Sequence, residues 1–349
     1  MSDGAPAAPR LDPWYLEHLV CPRDHSGLHF DGALVCQAGH RYPVIDGLPV
    51  LLLDDVSQTM PLALESIGRA RGADGDTRAP ELYLESLGIS DEEKAGIVRQ
   101  RHSAAGVDPV VSFLVGATSG YAYGHQIGRL PSYPIPHLRL PPGAGRTLLD
   151  VGCNWGRWSI AAARAGYAVV GIDPSLGAVM AARRVARAMQ LPIRHVVGDA
   201  RFLPFAPGTF DQTFSYSVIQ HLSRSDAATV VAEMSRVLRA GGGCLVQMPT
   251  PFGIRCLYHL ARRRFRDGDG FEVRYWTIPQ LRRLFAVVGR TDVEVDCYFG
   301  IGLQAADTAL MTPLLKVIVG LSERLRAASR WCIPLRYVAD SVYLRAVKA

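Results

Sequence analysis

Three acidic residues stand where apolar runs end. Asp150 closes the first run, just before the turn Gly152-Cys153-Asn154-Trp155-Gly156. Asp173 closes the second, 21 residues after Gly152, and Asp199 closes the third, followed by Ala200. A carboxylate at a strand tip can accept two hydrogen bonds from a ribose diol. A second can accept from the exocyclic amine of a purine while the neighbouring Ala200 N–H donates to a ring nitrogen. Gly152 and Gly156 carry no Cβ, so a ligand can lie against bare backbone there. The helix that follows aims unpaired N–H groups at a negative group such as a carboxylate. The ordered set therefore predicts one nucleoside-bearing ligand held by three successive strand ends.

Other residues offer different chemistry. His221, in "SVIQHL" beyond the fourth apolar run, is the candidate general base, with Tyr216 a weaker one; the other reading of His221 is a loop-orienting side chain. Cys21, Cys36 and His40 have ligand types suited to zinc, which takes four, and the fourth falls on Asp24 or on His25. Against this, two clean Cys-x-x-Cys pairs are lacking, and a ribbon packed by Tyr42, Pro43, Val44 and Leu48 could hold without metal. Arg262, Arg263, Arg264 and Arg266 could face an anionic substrate or simply be solvated. Tyr121, Tyr123 and His125 precede the first run and could contact substrate from a lid, or merely pack a helix.

The elements that would position these residues fall into three zones. Residues 1–55 are short strand-like pieces broken by Gly and Pro, a small β-rich ribbon. Residues 56–142 form a helical linker and lid ending in a proline-dense stretch. Residues 143–349 alternate strand and helix signals, which predicts a doubly wound, mostly parallel α/β sheet. Additions at about 251–276 and 299–335 would cap the substrate side. The stretch 226–242 reads as a helix with an acidic start and a glycine-rich stop, and 292–300 and 340–349 as edge strands. The apolar part of the second addition predicts an amphipathic helix serving as a cap or a homodimer face.

Composition sets bounds. The 349 residues are 48% hydrophobic and 20% charged, enough for an ample core. The formal charge is +6, nearly all of it arginine; the lysines are Lys94, Lys316 and Lys348. Such a charge is compatible with RNA or anionic small substrates and requires neither. The seven scattered cysteines, with no basic-then-apolar leader, predict reduced thiols and a cytoplasmic protein. No apolar run is long enough to span a bilayer.

The turn lacks the Gly-x-Gly-x-x-Gly of dinucleotide folds, and the chain has no Gly-Lys-Ser/Thr phosphate loop. Instead "LLDVGCNWGRWS", "GIDPS", "GDARFLPF", "FDQTFSYSVIQHL" and "EMSRVLRAGGGCLVQMP" resemble, in order, the motifs of class I S-adenosylmethionine-dependent methyltransferases. The resemblance is dense over 146–249. It implies a seven-stranded Rossmann-like sheet with one antiparallel strand near the C-terminus. It implies S-adenosylmethionine binding at Asp150, Gly152, Cys153, Asn154, Gly156, Asp173, Asp199, Ala200 and Ser215. Asn154 stands where many members have Gly; a short polar side chain tolerates the same left-handed backbone. The stretches Cys21–His25 and Cys36–Leu52 resemble the zinc-ribbon activator proteins of tRNA and rRNA methyltransferases and the zinc module of rRNA guanine methyltransferases, which implies Cys21, Asp24, Cys36 and His40 as the ligand set. The chain lacks the Asn-Pro-Pro-Tyr motif of base-amine enzymes, the Pro-Cys of cytosine C5 enzymes and the clustered carboxylates of magnesium-dependent catechol enzymes. The expectation is methyl transfer to a small molecule, at a hydroxyl of a natural product or sugar-containing intermediate. The alternative is an RNA methyltransferase of the rRNA guanine type. A third reading is a binding or regulatory protein that keeps the fold without catalysis.

Overall fold

The computed structural model describes residues 11–58, 61–72, 82–100, 106–118, 129–300 and 305–349. Tyr121, Tyr123 and His125 lie outside the described residues. Eleven strands are described: β1 (Leu28–Phe30), β2 (Ala33–Cys36), β3 (Arg41–Ile45), β4 (Leu48–Leu51), β5 (Thr147–Val151), β6 (Ala168–Asp173), β7 (Arg194–Gly198), β8 (Phe210–Tyr216), β9 (Leu238–Pro249), β10 (Thr291–Cys297) and β11 (Ser341–Val347). They form one sheet in the order β1-β2-β3-β4-β7-β6-β5-β8-β9-β11-β10. The seven strands from β7 to β10 are the expected doubly wound core. β11 runs antiparallel to both its neighbours.

Strand alternation explains the two buried faces. Leu148, Val169, Phe214 and Leu245 point to one face, where they pack with Trp158, Ala161 and Ala162 of the helix Arg157–Arg164. Leu149, Val170 and Val246 point to the other, against Ala227, Val230, Val231 and Met234 of the helix Arg224–Val237. The helices after β5 and β8 thus leave the sheet on opposite faces. A crevice must open between these two strand ends, at the switch point of the topology.

Two local expectations are corrected. The glycine run does not stop the Arg224–Val237 helix; Leu238 already begins β9, and Gly243 lies in register with Gln212. A Cβ on Gly243 would sit 2.4 Å from Gln212 Oε1, so close strand approach is what Gly243 serves. β11 is flanked on both sides rather than being an edge, and β10 takes the edge. The ribbon strands continue the main sheet: Val50 pairs with Val197 and Leu51 with Gly198, in parallel. Ahead of them, Tyr15 in the helix Pro13–His18 donates its hydroxyl to the His195 carbonyl at 2.8 Å and accepts from the His195 N–H at 3.2 Å.

The middle zone is fixed at the cofactor side by two serines. Leu176 N–H donates to Ser66 Oγ at 3.0 Å and Gly177 N–H to Ser86 Oγ at 2.7 Å. These are orphan donors in the first turn of the helix Leu176–Ala188, and Ser175 caps the same turn by accepting from Ala178 N–H. Hydroxyls from residues 66 and 86 therefore bind the middle zone to the end of β6. Among the described residues no helix is long and apolar enough to cross a membrane.

Candidate active site

A cavity of about 1070 Å³ opens at the carboxyl ends of β5, β6, β7 and β8. Gly152, Cys153, Asn154, Asp173, Asp199, Ala200 and His221 all line it. Gly152 has φ +76°, and a Cβ there would lie 2.3 Å from Val218 Cγ2, so the chain needs glycine at this bend. Asn154 adopts φ +48°, the left-handed conformation expected of it. Its side-chain oxygen accepts from Trp155 N–H at 2.8 Å, which holds the turn rigid.

Asp173 joins the first two strand ends. Its Oδ2 accepts from Asn154 N–H and its Oδ1 from Ser175 N–H, each at 3.0 Å. Burial raises its pKa to about 6, against which the two N–H donors pull. Each carboxylate oxygen keeps a further lone pair for a ligand hydroxyl.

Asp150, Gly156 and Ser215 do not reach the cavity wall, which revises the expectation of direct contact. Asp150 is buried behind the turn and accepts from Ser159 Oγ at 2.6 Å; burial raises its pKa to about 7. Gly156, at φ +83°, caps the start of the Arg157–Arg164 helix, where an added Cβ would lie 3.2 Å from Ala182 Cβ. Ser215 donates to the Val151 carbonyl at 2.9 Å and ties β8 to β5. All three shape the turn from behind because the sheet's pleat points their side chains away from the crevice, or because glycine has none.

Asp199 lines the cavity with a partner that the sequence reading missed. Arg201 donates to it through Nη2 at 2.7 Å and through Nε at 3.1 Å, and Arg201 N–H donates at 2.9 Å. The i, i+2 spacing was the only available signal. Arg201 also lines the cavity.

On the far side the cavity meets His221. The Phe271 carbonyl lies 2.7 Å from His221 Nδ1 and can only accept, so Nδ1 carries the proton. Nε2 is then the acceptor, 3.3 Å from Gln220 Nε2. The ring stacks on Phe271 with centroids 4.1 Å apart, and burial lowers its pKa, so the imidazole is neutral near pH 7. Tyr216 lines the cavity and donates to buried Asp296 at 3.2 Å. Burial and that carboxylate's charge push the phenol well above its ordinary pKa.

The helix Ile254–Arg262 closes this side with Arg255, His259 and Arg262, followed by Arg263. Arg264 and Arg266 do not line the cavity. Arg255 and His259 were missed, although their helical i, i+4 spacing with Arg262 and Arg263 could have shown them. Asp340 anchors the helix by accepting from Arg255 N–H at 3.0 Å and Cys256 N–H at 3.1 Å. Its Oδ2 is buried without a hydrogen-bond partner, and the residue faces the cavity.

A second cluster lies in the ribbon. Ligand atoms of Cys21, Asp24, Cys36 and His40 all lie within 4.8 Å of one another. His40 Nδ1 is 3.5 Å from Cys21 Sγ, 3.3 Å from Cys36 Sγ and 3.5 Å from Asp24 Oδ2. Zinc bonds of about 2.3 Å to sulfur and about 2.0 Å to nitrogen, set tetrahedrally, put the two ligand atoms about 3.5 Å apart. The four ligand atoms, Asp24 among them, lie at spacings that one ion could bridge.

A family model described as a methyltransferase domain matches residues 148–242. A Mycolicibacterium smegmatis protein named as an S-adenosylmethionine-dependent methyltransferase is 37% identical over 143 residues, which span 37% of this chain and 53% of that relative. The chain thus matches about half the length of that protein. A demethylmenaquinone methyltransferase of Oceanobacillus iheyensis is 34% identical over 184 residues, 46% of this chain and 76% of the relative. Among solved structures, the complex between the Haloferax volcanii Trm112 methyltransferase activator and a methyltransferase matches with TM-score 0.43 and 17% identity, over 74% of this chain and 99% of that one. The chain belongs to the class I S-adenosylmethionine-dependent methyltransferases.

Proposed function

We propose that the protein transfers the methyl group of S-adenosylmethionine to a small-molecule acceptor, at a hydroxyl. The observation that carries this reading is the meeting of three strand ends in one cavity: the Gly152–Asn154 turn, Asp173, and Asp199 with Ala200. In this reading the turn takes the amino-acid part, Asp173 the ribose diol, and Asp199 with Ala200 the adenine. Arg201, in the same reading, holds the Asp199 carboxylate in place for the adenine amine. The sulfonium supplies an already activated methyl; the protein's task is to align the nucleophile and exclude water.

His221 is the proposed proton acceptor for the hydroxyl. Its Nδ1–H is committed to the Phe271 carbonyl, which fixes the tautomer and leaves Nε2 basic. Arg255, Arg262 and Arg263 give the acceptor side cationic groups suited to an acceptor bearing negative charge, while burial and these neighbouring arginines keep His259 neutral near pH 7. The small-molecule reading is also supported by the Oceanobacillus relative, which is named for the small acceptor demethylmenaquinone. The RNA alternative is not favoured.

Calorimetric titration tests the core of the proposal. S-adenosylmethionine and S-adenosylhomocysteine should each bind with one molecule per chain, and absence of binding for both would refute it. Zinc in the ribbon is a separate proposal, supported by the four-atom cluster at Cys21, Asp24, Cys36 and His40. Such an ion would staple the β1–β3 hairpins ahead of β4. Elemental analysis of protein purified without chelator should give one zinc per chain.

A further inference from the structure

The helix Ile254–Arg262 has two faces of different use. Arg255 and His259 line the cavity, while Ile254, Leu257 and Tyr258 are exposed, with Ile254 69% exposed and Arg262 donating to the Tyr258 hydroxyl at 3.1 Å. A second segment repeats this pattern. The helix Pro313–Ala328 buries Val319 and Ser322 against the body and leaves Leu314, Val317 and Leu321 exposed in one i, i+3, i+7 stripe. Just past it stands Trp331, 91% exposed, followed by exposed Ile333 and Tyr337. Isolated surface apolar residues are ordinary; a stripe continued by an exposed tryptophan is not.

The first segment packs on Asp340, two residues past the end of the second. Gly253 packs so tightly on Asp340 that a Cβ would lie 2.3 Å from the Asp340 Cα, and the Asp340 carboxylate caps the Ile254–Arg262 helix. Exposed Val338 lies two residues before that contact. Charge concentrates in the same place. Residues 252–271 carry five arginines against two aspartates, and residues 313–338 carry five basic residues against one glutamate. These two segments hold a net +7, whereas the whole chain is +6, so the remainder is slightly acidic.

We propose that these two segments form a docking surface for an anionic lipid bilayer, set beside the mouth of the cavity. Apolar side chains interleaved with arginine match the headgroup–acyl boundary, where the former bury in hydrocarbon and the latter meet lipid phosphates. A second copy of the chain is the poorer occupant, because a two-fold contact would press +7 against +7. A helix that floors the cavity with one face and lies in the leaflet with the other lets an acceptor with a polar head and a hydrocarbon tail enter from the membrane. That last consequence rests on the methyl-transfer reading; the docking does not.

The test is co-sedimentation of the full chain with vesicles of phosphatidylcholine alone and of phosphatidylcholine mixed with phosphatidylglycerol. The chain should pellet with the anionic vesicles at least about tenfold more strongly, and the excess should fade as salt rises. Tryptophan emission should shift to the blue on binding, and the shift should disappear in Trp331→Phe. The triple variant Leu314→Ser, Val317→Ser, Leu321→Ser should weaken pelleting at least about tenfold while its melting temperature and S-adenosylmethionine binding stay unchanged. Equal, weak pelleting with both vesicles would overturn the proposal, as would a triple variant that still pellets normally. So would a dimer in sedimentation velocity that the triple variant dissolves, since a second copy would then cover the face. Vesicle binding by a chain that takes up no S-adenosylmethionine would support docking while refuting the methyl-transfer reading.

Discussion

Asp173→Asn changes one atom type at the point where the first two strand ends meet. In the native chain, Asn154 N–H and Ser175 N–H each donate to a different carboxylate oxygen at 3.0 Å. An amide offers one oxygen, so one N–H faces another donor, at a cost of about 1–3 kcal/mol. Against this, the buried charge that raises the Asp173 pKa to about 6 is gone, and its desolvation cost with it. The two effects oppose each other, so the melting temperature should move by only a few degrees. Ligand binding has no such compensation. Hydrogen bonds from two ribose hydroxyls to a carboxylate are worth about 1.5–3 kcal/mol each, against about 0.5–1.5 to a neutral oxygen. A combined loss of about 2–3 kcal/mol weakens S-adenosylmethionine binding by about 30- to 140-fold. The native profile should also depend on pH, because binding requires the ionised carboxylate. Affinity should fall about tenfold per pH unit below about 6, and the variant should lack this dependence. Calorimetry across pH 5–8 reads both. A variant that binds within about threefold of native, or a native profile that is flat through pH 6, would refute the assignment.

The remaining expectations concern the same site and the ribbon. Without ligand, stability should decline as pH rises through about 6 and about 7: Asp173 and Asp150 have folded pKa values above their unfolded ones, so their contribution is complete in acid and lost on ionisation; urea unfolding at pH 5 and pH 8 checks this. Gly152→Ala forces a side chain into φ +76° and onto Val218, which should cost at least about 1–2 kcal/mol and abolish cofactor binding, with partial recovery in the Gly152→Ala, Val218→Ala double variant by thermal shift. His221→Ala should lower kcat by roughly a hundredfold or more with S-adenosylmethionine affinity intact, and unchanged turnover would remove the proton-acceptor role. Cys36→Ser should lose the zinc and the resistance of the ribbon to proteolysis, while a native chain free of zinc would remove that ion from the account.

The sequence by itself determined the alternation of strand and helix, the strand ends that carry acids, and the bends that need glycine or asparagine. These are local properties: a run of Val, Leu and Ile, a carboxylate at its end and a residue that tolerates positive φ are all read within about ten positions. The Cys21, Asp24, Cys36 and His40 set was legible for the same reason, since tight hairpins bring near-neighbours together. Tertiary structure alone decided which side chains on those elements face the crevice. Asp150 and Ser215 turn behind the sheet while Tyr216, one residue after Ser215, faces the cavity, because a strand reverses its side chains at every step and only packing says which face is filled. Asp340 on the inward helix's first turn, Arg201 on Asp199, and the joining of β4 to β7 likewise pair residues distant in sequence or oriented by the fold, and no local pattern encodes a partner that the chain meets only after it has closed on itself.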